Sequence, residues 1–190
     1  MNTPQPRILI VDDVPANIDL LADFLVGEYD ITIATSGPEA IRSAETLAPD
    51  LILLDVAMPE MDGYETCRRL KANPDTRNIP IIFVTARDDE TNEKQGLELG
   101  AADYITKPVR PAIVQVRVRL HLENRRQREA LERIACTDAL TRVANRARFD
   151  EVLEREWGRS LRSSLGISLI LLDIDHFKKY NDHYGHCAGD

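Results

Sequence analysis

Cysteine is scarce: Cys67, Cys136 and Cys187 stand far apart in 190 residues. An odd, scattered set excludes a disulfide framework and suits a reducing compartment. Cationic excess is missing as well. Lys and Arg total 24 against 32 Asp and Glu, giving net charge −8 and a pI of about 5.1. That balance argues against nucleic acid as a default partner, since phosphate binding wants a cationic surface. No hydrophobic run is long. The stretch "ISLILLDI" cannot span a bilayer, and "MNTPQPRILIVDD" carries too short an apolar run for a secretion signal. The expectation is a cytoplasmic chain with no membrane anchor in this segment. Repeats and low-complexity tracts are also absent. What remains, 43% hydrophobic and 29% charged residues, is ordinary globular composition, long enough for one full domain and a piece of another.

Five apolar, β-branched runs recur with room for a helix between them: "RILIV" (7–11), "ITIAT" (31–35), "LILLD" (51–55), "IPIIFVTA" (79–86) and "ADYITKP" (102–108). Near-continuous apolar runs indicate strands covered on both faces, as in a parallel sheet. Between them, Ile18, Leu21, Phe24 and Leu25 share one helical face, and Ala40, Ile41, Ala44 and Leu47 another. Asp62 and Asn92 are helix starts; Gly27 and Gly100 are helix stops. Five βα units predict a doubly wound sheet with its ligand at the carboxyl ends of the strands.

The segment 110–135, "RPAIVQVRVRLHLENRRQREALERIA", begins with strand-like alternation. It is predicted to be a helix because Ile113, Leu120, Asn124, Gln127, Leu131 and Ile134 recur at threes and fours with no turn residue between. Asn124 and Gln127 make that seam weaker than a hydrophobic zipper. Seven arginines invite a nucleic-acid reading, but Glu123, Glu129 and Glu132 are interleaved, which favours a solvated helix or a dimer stalk.

Polar residues of different kinds end the strands: Asp12 and Asp13, Asp55, Thr85, and Lys107 before Pro108. In a parallel sheet these tips converge. Three crowded carboxylates repel and require a cation, and all-oxygen ligation suits Mg²⁺. A lysine and a hydroxyl beside them suit a tetrahedral oxyanion, so the set fits phosphoryl transfer to a carboxylate nucleophile. Any one acid alone would read as a solvated strand end; five matching positions do not.

With "ILIVDD", "LILLDVAMPEMDGYE", "IIFVTA" and "GAADYITKP" in order, residues 6–125 resemble the receiver domain of two-component response regulators. The resemblance implies a flavodoxin-like (βα)5 fold with a five-stranded parallel sheet. It implies that Asp55 accepts a phosphoryl group from a histidine kinase or phosphotransfer protein. Asp13, Asp55 and the backbone carbonyl of Ala57 would ligate Mg²⁺, with Asp12 assisting through water. Thr85 and Lys107 would sense and pair with the phosphate, and Tyr104 would be the aromatic switch, for which core packing is the alternative. Phosphorylation would then repack the face around strand five and the helix before it, and alter dimer geometry through the helix at 110–135.

Further on, "DALTRVANRARF" and "DIDHFKKYNDHYGHCAGD" resemble the start of the GGDEF diguanylate cyclase domain, over 137–190. Thr137 or Asp138 can cap a helix whose apolar face is Phe149, Val152, Leu153 and Trp157, and the run at 169–174 reads as a buried strand. The resemblance implies a Mg²⁺ site at Asp173 and the carbonyl of Ile174. Nucleotide phosphates would sit on backbone amides from Asp175 through Phe177 to Lys178, with Lys178 as a further phosphate contact, and Asn181 and Asp190 would read guanine. Zinc binding by His176, His183, His186 and Cys187 is the rival, but the spacing fits no compact zinc pattern. No Gly-Gly pair occurs, so the family's signature hairpin is missing.

The resulting expectation is a receiver at 6–123, a helical stalk at 124–136 and an incomplete α/β cyclase portion at 137–190. The sequence reads as a fragment that makes no cyclic di-GMP by itself, of a longer response regulator that condenses two GTP into cyclic di-GMP as a homodimer. The alternatives are a non-enzymatic signalling module with a degenerate or lost cyclase domain, and a DNA-binding regulator. The acidic balance and the lack of a helix-turn-helix pattern oppose the latter.

Overall fold

The structure, a computed structural model, describes residues 5–86, 98–163 and 166–189. It divides into two compact units, Met1–Gln127 and Arg128–Asp190.

The first unit is a sheet of five parallel strands in the order β2-β1-β3-β4-β5. The strands are β1 (Arg7–Val11), β2 (Asp30–Ala34), β3 (Leu51–Asp55), β4 (Ile81–Ala86) and β5 (Asp103–Lys107). Successive side chains on a strand face opposite sides, and here both sides are apolar. Leu9, Val11, Ile52, Leu54, Ile81 and Phe83 enter one core cluster; Ile8, Ile10, Leu51, Leu53, Ile82 and Val84 enter the other. The continuous apolar runs arise from this double burial. The first cluster is closed by α2 (Gly37–Leu47) and α3 (Gly63–Ala72), through Ala40, Ala44, Cys67 and Leu70. The second is closed by α1 (Pro15–Leu25), through Ile18, Leu21 and Leu25, and by α4 (Pro111–Cys136).

Helix boundaries follow local chemistry. Pro15 opens α1, where a missing N–H costs nothing, and Gly27 at φ +92° follows its end. Asp62 caps α3 by accepting the Glu65 amide at 2.7 Å. Gly100, expected as a stop, has φ +88°. The start expected at Asn92 lies outside the described residues.

The alternating opening of α4 is helical because three of its residues recur at i, i+4 and i+8. Val114, Val118 and Leu122 are buried on the sheet, while Ile113, Val116 and Leu120 remain about half exposed or more. Burial of each such side chain contributes roughly 1.5–3 kcal/mol, which overrides β propensity. Polar contacts tie the first part of the same helix, up to Gln127, to the first unit. Gln115 donates to the Phe24 carbonyl at 2.9 Å, Arg125 to the Pro49 carbonyl at 3.0 Å, and Arg119 hydrogen-bonds Tyr29. Asp103 accepts from Arg117 at 2.7 Å and lies 2.9 Å from His121 Nε2. Three of the seven arginines thus fasten the helix instead of forming a free basic face.

Burial alone would raise the Asp103 pKa, but the bonds from His121, the Tyr104 amide and Arg117 outweigh it and hold the carboxyl below its usual 3.8. A lowered carboxylate contributes stability above its unfolded pKa and loses it as pH falls through the folded one. Asp103→Asn is therefore expected to cost about 2 kcal/mol at pH 7, with the gap closing below pH 3.8. Urea melts at pH 7 and pH 3 measure this.

In the second unit, Asp138 does not cap the helix. Its carboxylate accepts the amides of Leu140 (3.2 Å) and Thr141 (2.9 Å) and closes a turn. The cap of α5 (Arg146–Ser163) is Asn145, which accepts the Arg148 amide at 3.1 Å and donates to the Ala135 carbonyl at 2.7 Å. Phe149 and Trp157 on α5 are 45% and 57% exposed. The expected buried strand at 169–174 is not formed: the segment makes no ladder, and Leu171 and Leu172 are 92% and 88% exposed. A strand needs a neighbour for its backbone groups, and none among the described residues pairs with it. Two short helices follow, α6 (Phe177–Tyr184) and α7 (His186–Gly189), separated by Gly185 at φ +85°.

Candidate functional site

At the carboxyl edge of the sheet, β1 delivers Asp12 and Asp13, β3 ends in Asp55, β4 carries Thr85 and β5 ends in Lys107. Ligand oxygens of Asp12, Asp13 and Asp55 lie within 4.8 Å of one another. Asp12 is fully buried, and Asp55 and Thr85 are 4% and 5% exposed. Lys107 Nζ donates to Asp55 Oδ1 at 2.8 Å and to Asp12 Oδ2 at 3.0 Å. One ammonium therefore bridges the tips of three strands. Thr85 pairs in register with Thr106, next to Lys107, and Tyr104 pairs with Phe83. Tyr104 is partly buried against the first core cluster.

The loop from β3 to α3 is held close by Gly63. Its amide donates to the Val56 carbonyl at 2.9 Å, and a Cβ on Gly63 would lie 2.3 Å from the Asp55 carbonyl oxygen. Only glycine lets α3 begin so near the strand end. Ala57, two residues beyond Asp55, is exposed in this loop.

The electrostatics call for a cation. Burial pushes the Asp55 pKa above its usual 3.8, and neighbouring Asp12 pushes the same way; Lys107 and the Val56 amide pull it down without prevailing. For Lys107, burial works against the charged form, but the bonds and charges of Asp55 and Asp12 outweigh it and raise the pKa above 10.5. Three carboxylates against one ammonium leave excess negative charge. The all-oxygen donor set fits Mg²⁺.

Two contributions were not anticipated from sequence. Asn17 Nδ2 donates to both oxygens of Asp12, at 2.9 and 3.0 Å. It sits in the first turn of α1, where no motif marks it. Gly63 could have been found, since a glycine at a helix start after a strand-end acid suggests a close backbone approach.

The expected second site is not assembled in the same way. Asp173 Oδ1 accepts the neighbouring Ile174 amide at 3.0 Å, and the Ile174 carbonyl accepts the Phe177 amide at 3.3 Å. Asp173, Ile174, Phe177 and Lys178 are exposed. Asn181 is partly buried, and its Oδ1 has no hydrogen-bond partner among the described residues. Asp190 lies outside the described residues. Among the described residues, no helix is long and apolar enough to cross a membrane.

A parallel five-stranded sheet in this order, with acids and a lysine on its carboxyl edge, defines a receiver-type α/β domain. The chain belongs to the response regulator receiver family, whose description matches residues 8–119, and its residues 135–190 match the diguanylate cyclase GGDEF domain. It is 47% identical over 131 residues to the response regulator PleD of Caulobacter vibrioides, covering 65% of this chain and 29% of that protein. It is 45% identical over 114 residues to the alkaline phosphatase synthesis transcriptional regulatory protein PhoP of Bacillus subtilis, covering 60% of this chain and 47% of the relative. The chain thus spans less than half the length of either. Among solved structures, the receiver domain of a sensor histidine kinase from Pseudomonas aeruginosa superposes with a TM-score of 0.59 at 32% identity. That match covers 63% of this chain and 98% of the other. That receiver holds a magnesium ion coordinated in its active-site cleft.

Proposed function

We propose that Asp55 is the phosphoacceptor of a two-component relay that controls a diguanylate cyclase. The observation that carries this is Lys107 Nζ seated between Asp55 and Asp12 at 2.8 and 3.0 Å, in a pocket where a third carboxylate completes a hard-ion donor set. An Asp55 carboxylate oxygen attacks phosphorus, the P–N bond to the donor histidine breaks, and the imidazole leaves with the bonding electron pair. Asp13, Asp55 and the Ala57 carbonyl are the groups that would hold Mg²⁺, with Asp12 acting through water. When bound, the ion neutralises phosphoryl oxygens. Lys107 and Thr85 then meet the new phosphoryl group, and Tyr104, packed beside Phe83, follows Thr85 inward.

The readout runs through α4. Ile113, Leu120, Leu131 and Ile134 are 47–76% exposed on its surface, at the spacing that pairs helices in coiled coils. A homodimer through this helix and the β5 face would bring two cyclase domains together. Each would carry one GTP, since neither alone can close the cyclic product. In this reading the receiver is 6–123, the stalk 124–136 and the cyclase portion starts at 137. Asp173, Ile174, Phe177, Lys178, Asn181 and Asp190 belong to its metal and nucleotide site.

The test is phosphorylation of the chain by acetyl phosphate with Mg²⁺. One phosphoryl group per chain on Asp55, abolished by EDTA, is expected. Labelling elsewhere, or labelling indifferent to EDTA, sinks the reading.

A further inference from the structure

We infer that Asn17 is a positioning residue for the divalent cation, acting through Asp12 without touching the ion. The inference rests on the phosphoacceptor reading above and adds to it a residue outside the strand tips. An ionised carboxylate has about four acceptor positions. Three donors occupy Asp12: Oδ1 takes the Val14 amide (2.9 Å), Oδ2 takes Lys107 Nζ (3.0 Å), and Asn17 Nδ2 spans both oxygens (2.9 and 3.0 Å), which leaves a position for a water on the ion. The side chain is fully buried, so water supplies none of these bonds. Asn17 alone reaches both oxygens, and so fixes the plane of the carboxylate.

That plane decides where the charge of Asp12 is felt. Held by Asn17 and the Val14 amide, Asp12 offers Lys107 one oxygen only, and Lys107 is left free to reach Asp55. Without Asn17, both oxygens lose their shared donor in a buried place, which is costly. The carboxylate can then turn about its Cβ–Cγ bond and face Lys107 with both oxygens. The negative charge of Asp12 withdraws from the pocket toward Lys107, and the field that attracts a divalent ion weakens with it. Asn17 also belongs to α1, so the pocket depends on a helix that contributes no acid to it.

The experiment is calorimetric titration of the whole chain with Mg²⁺ alone, for the unchanged protein, Asn17→Leu, Asn17→Ala, Asp12→Asn and Asp12→Asn combined with Asn17→Leu. Leucine keeps the size of asparagine and removes the donor; alanine serves as a second variant should leucine perturb folding. Either single substitution at 17 is expected to weaken Mg²⁺ binding about tenfold, as for other groups that orient a ligand's carboxylate. In the Asp12→Asn background, the substitution at 17 is expected to have no further effect, because its route to the ion is gone. The Mg²⁺ concentration that half-saturates phosphorylation by acetyl phosphate should rise by the same factor. Binding that is unchanged or tighter in both variants at 17 overturns the proposal, as does full additivity with Asp12→Asn, which would mark general damage to α1. If the unchanged protein itself takes no Mg²⁺, the phosphoacceptor reading fails together with this inference; if it does and only the Asn17 results differ, the role of Asn17 fails alone.

Discussion

Asp55→Asn is expected to abolish phosphoryl transfer to this chain, with no residual labelling at its neighbours. Asp12 is close, but it cannot take over as nucleophile. Both of its oxygens are held by Val14, Asn17 and Lys107 in a fully buried place, so neither can swing out to attack phosphorus. Asp13 is a separate side chain on the β1 loop and lacks the 2.8 Å contact with Lys107 that Asp55 has. The variant should nevertheless fold well. Asp55 has its pKa raised, chiefly by burial. A raised carboxyl contributes stability below its unfolded pKa and loses it as pH rises through the folded one. At pH 7 the ionised group is therefore a burden that asparagine does not carry, while Lys107 keeps Asp12 as its partner. Urea melts at pH 7 should give a midpoint no lower than that of the unchanged protein. Acetyl phosphate labelling in the same samples should read zero. A labelled Asp55→Asn protein would move the phosphoacceptor elsewhere.

The separation of those two effects shows why the site was legible in the sequence. Acids and a lysine at strand ends carry no packing role that could explain them, so Asp12, Asp13, Asp55 and Lys107 stood out against the apolar runs they close. The central strands were legible because both faces of the sheet are covered there, whereas the edge strand β2 leaves Ile33 half exposed. Their limits were set by hydrogen-bond supply. The fourth run was expected from 79, yet β4 starts at Ile81. The Ile79 amide is committed to the Thr76 carbonyl at 3.0 Å, and Pro80 has no amide to give.

Other features lay beyond a linear reading. The outward seam of α4 was visible as threes and fours, whereas the buried stripe Val114, Val118 and Leu122 was hidden inside an alternating pattern. The side-chain clamps on the helix, Arg117 and His121 on Asp103, join residues 14 and 18 positions apart and have no local signature. Asn17 acts across the same kind of gap in space. The run at 169–174 failed in the opposite direction: its composition demands burial, but a strand is a property of a pair, and its ladder has no partner among the described residues.

Lys107→Ala is expected to destabilise the first unit by about 3 kcal/mol at pH 7, the low end for breaking a buried ion pair, because Lys107 is 28% exposed while Asp12 and Asp55 are 0% and 6% exposed at their side chains. Alanine leaves two buried carboxylates facing each other without the ammonium that joins them. The pH dependence identifies the cause. Lys107 has a raised pKa, so its contribution is fully present below the ordinary 10.5 and disappears as pH climbs through the higher folded value. On the acid side, Asp55 loses the cation that was pulling its pKa down and rises further, so one proton relieves the repulsion in the variant. The difference from the unchanged protein should therefore peak near neutrality and shrink both toward pH 4 and above pH 10.5. Mg²⁺ should stabilise the variant more than the unchanged protein, because a ligand that binds the folded state adds stability with its affinity and the uncompensated acids bind it more tightly. Lys107→Arg should not restore phosphoryl transfer, since a planar guanidinium cannot take the place of a compact ammonium between two oxygens. Denaturant melts across pH, with and without Mg²⁺, decide the matter. A deficit that is flat with pH and blind to the ion would mean that Lys107 supports the fold by packing alone, and that the charge balance drawn for the pocket is wrong.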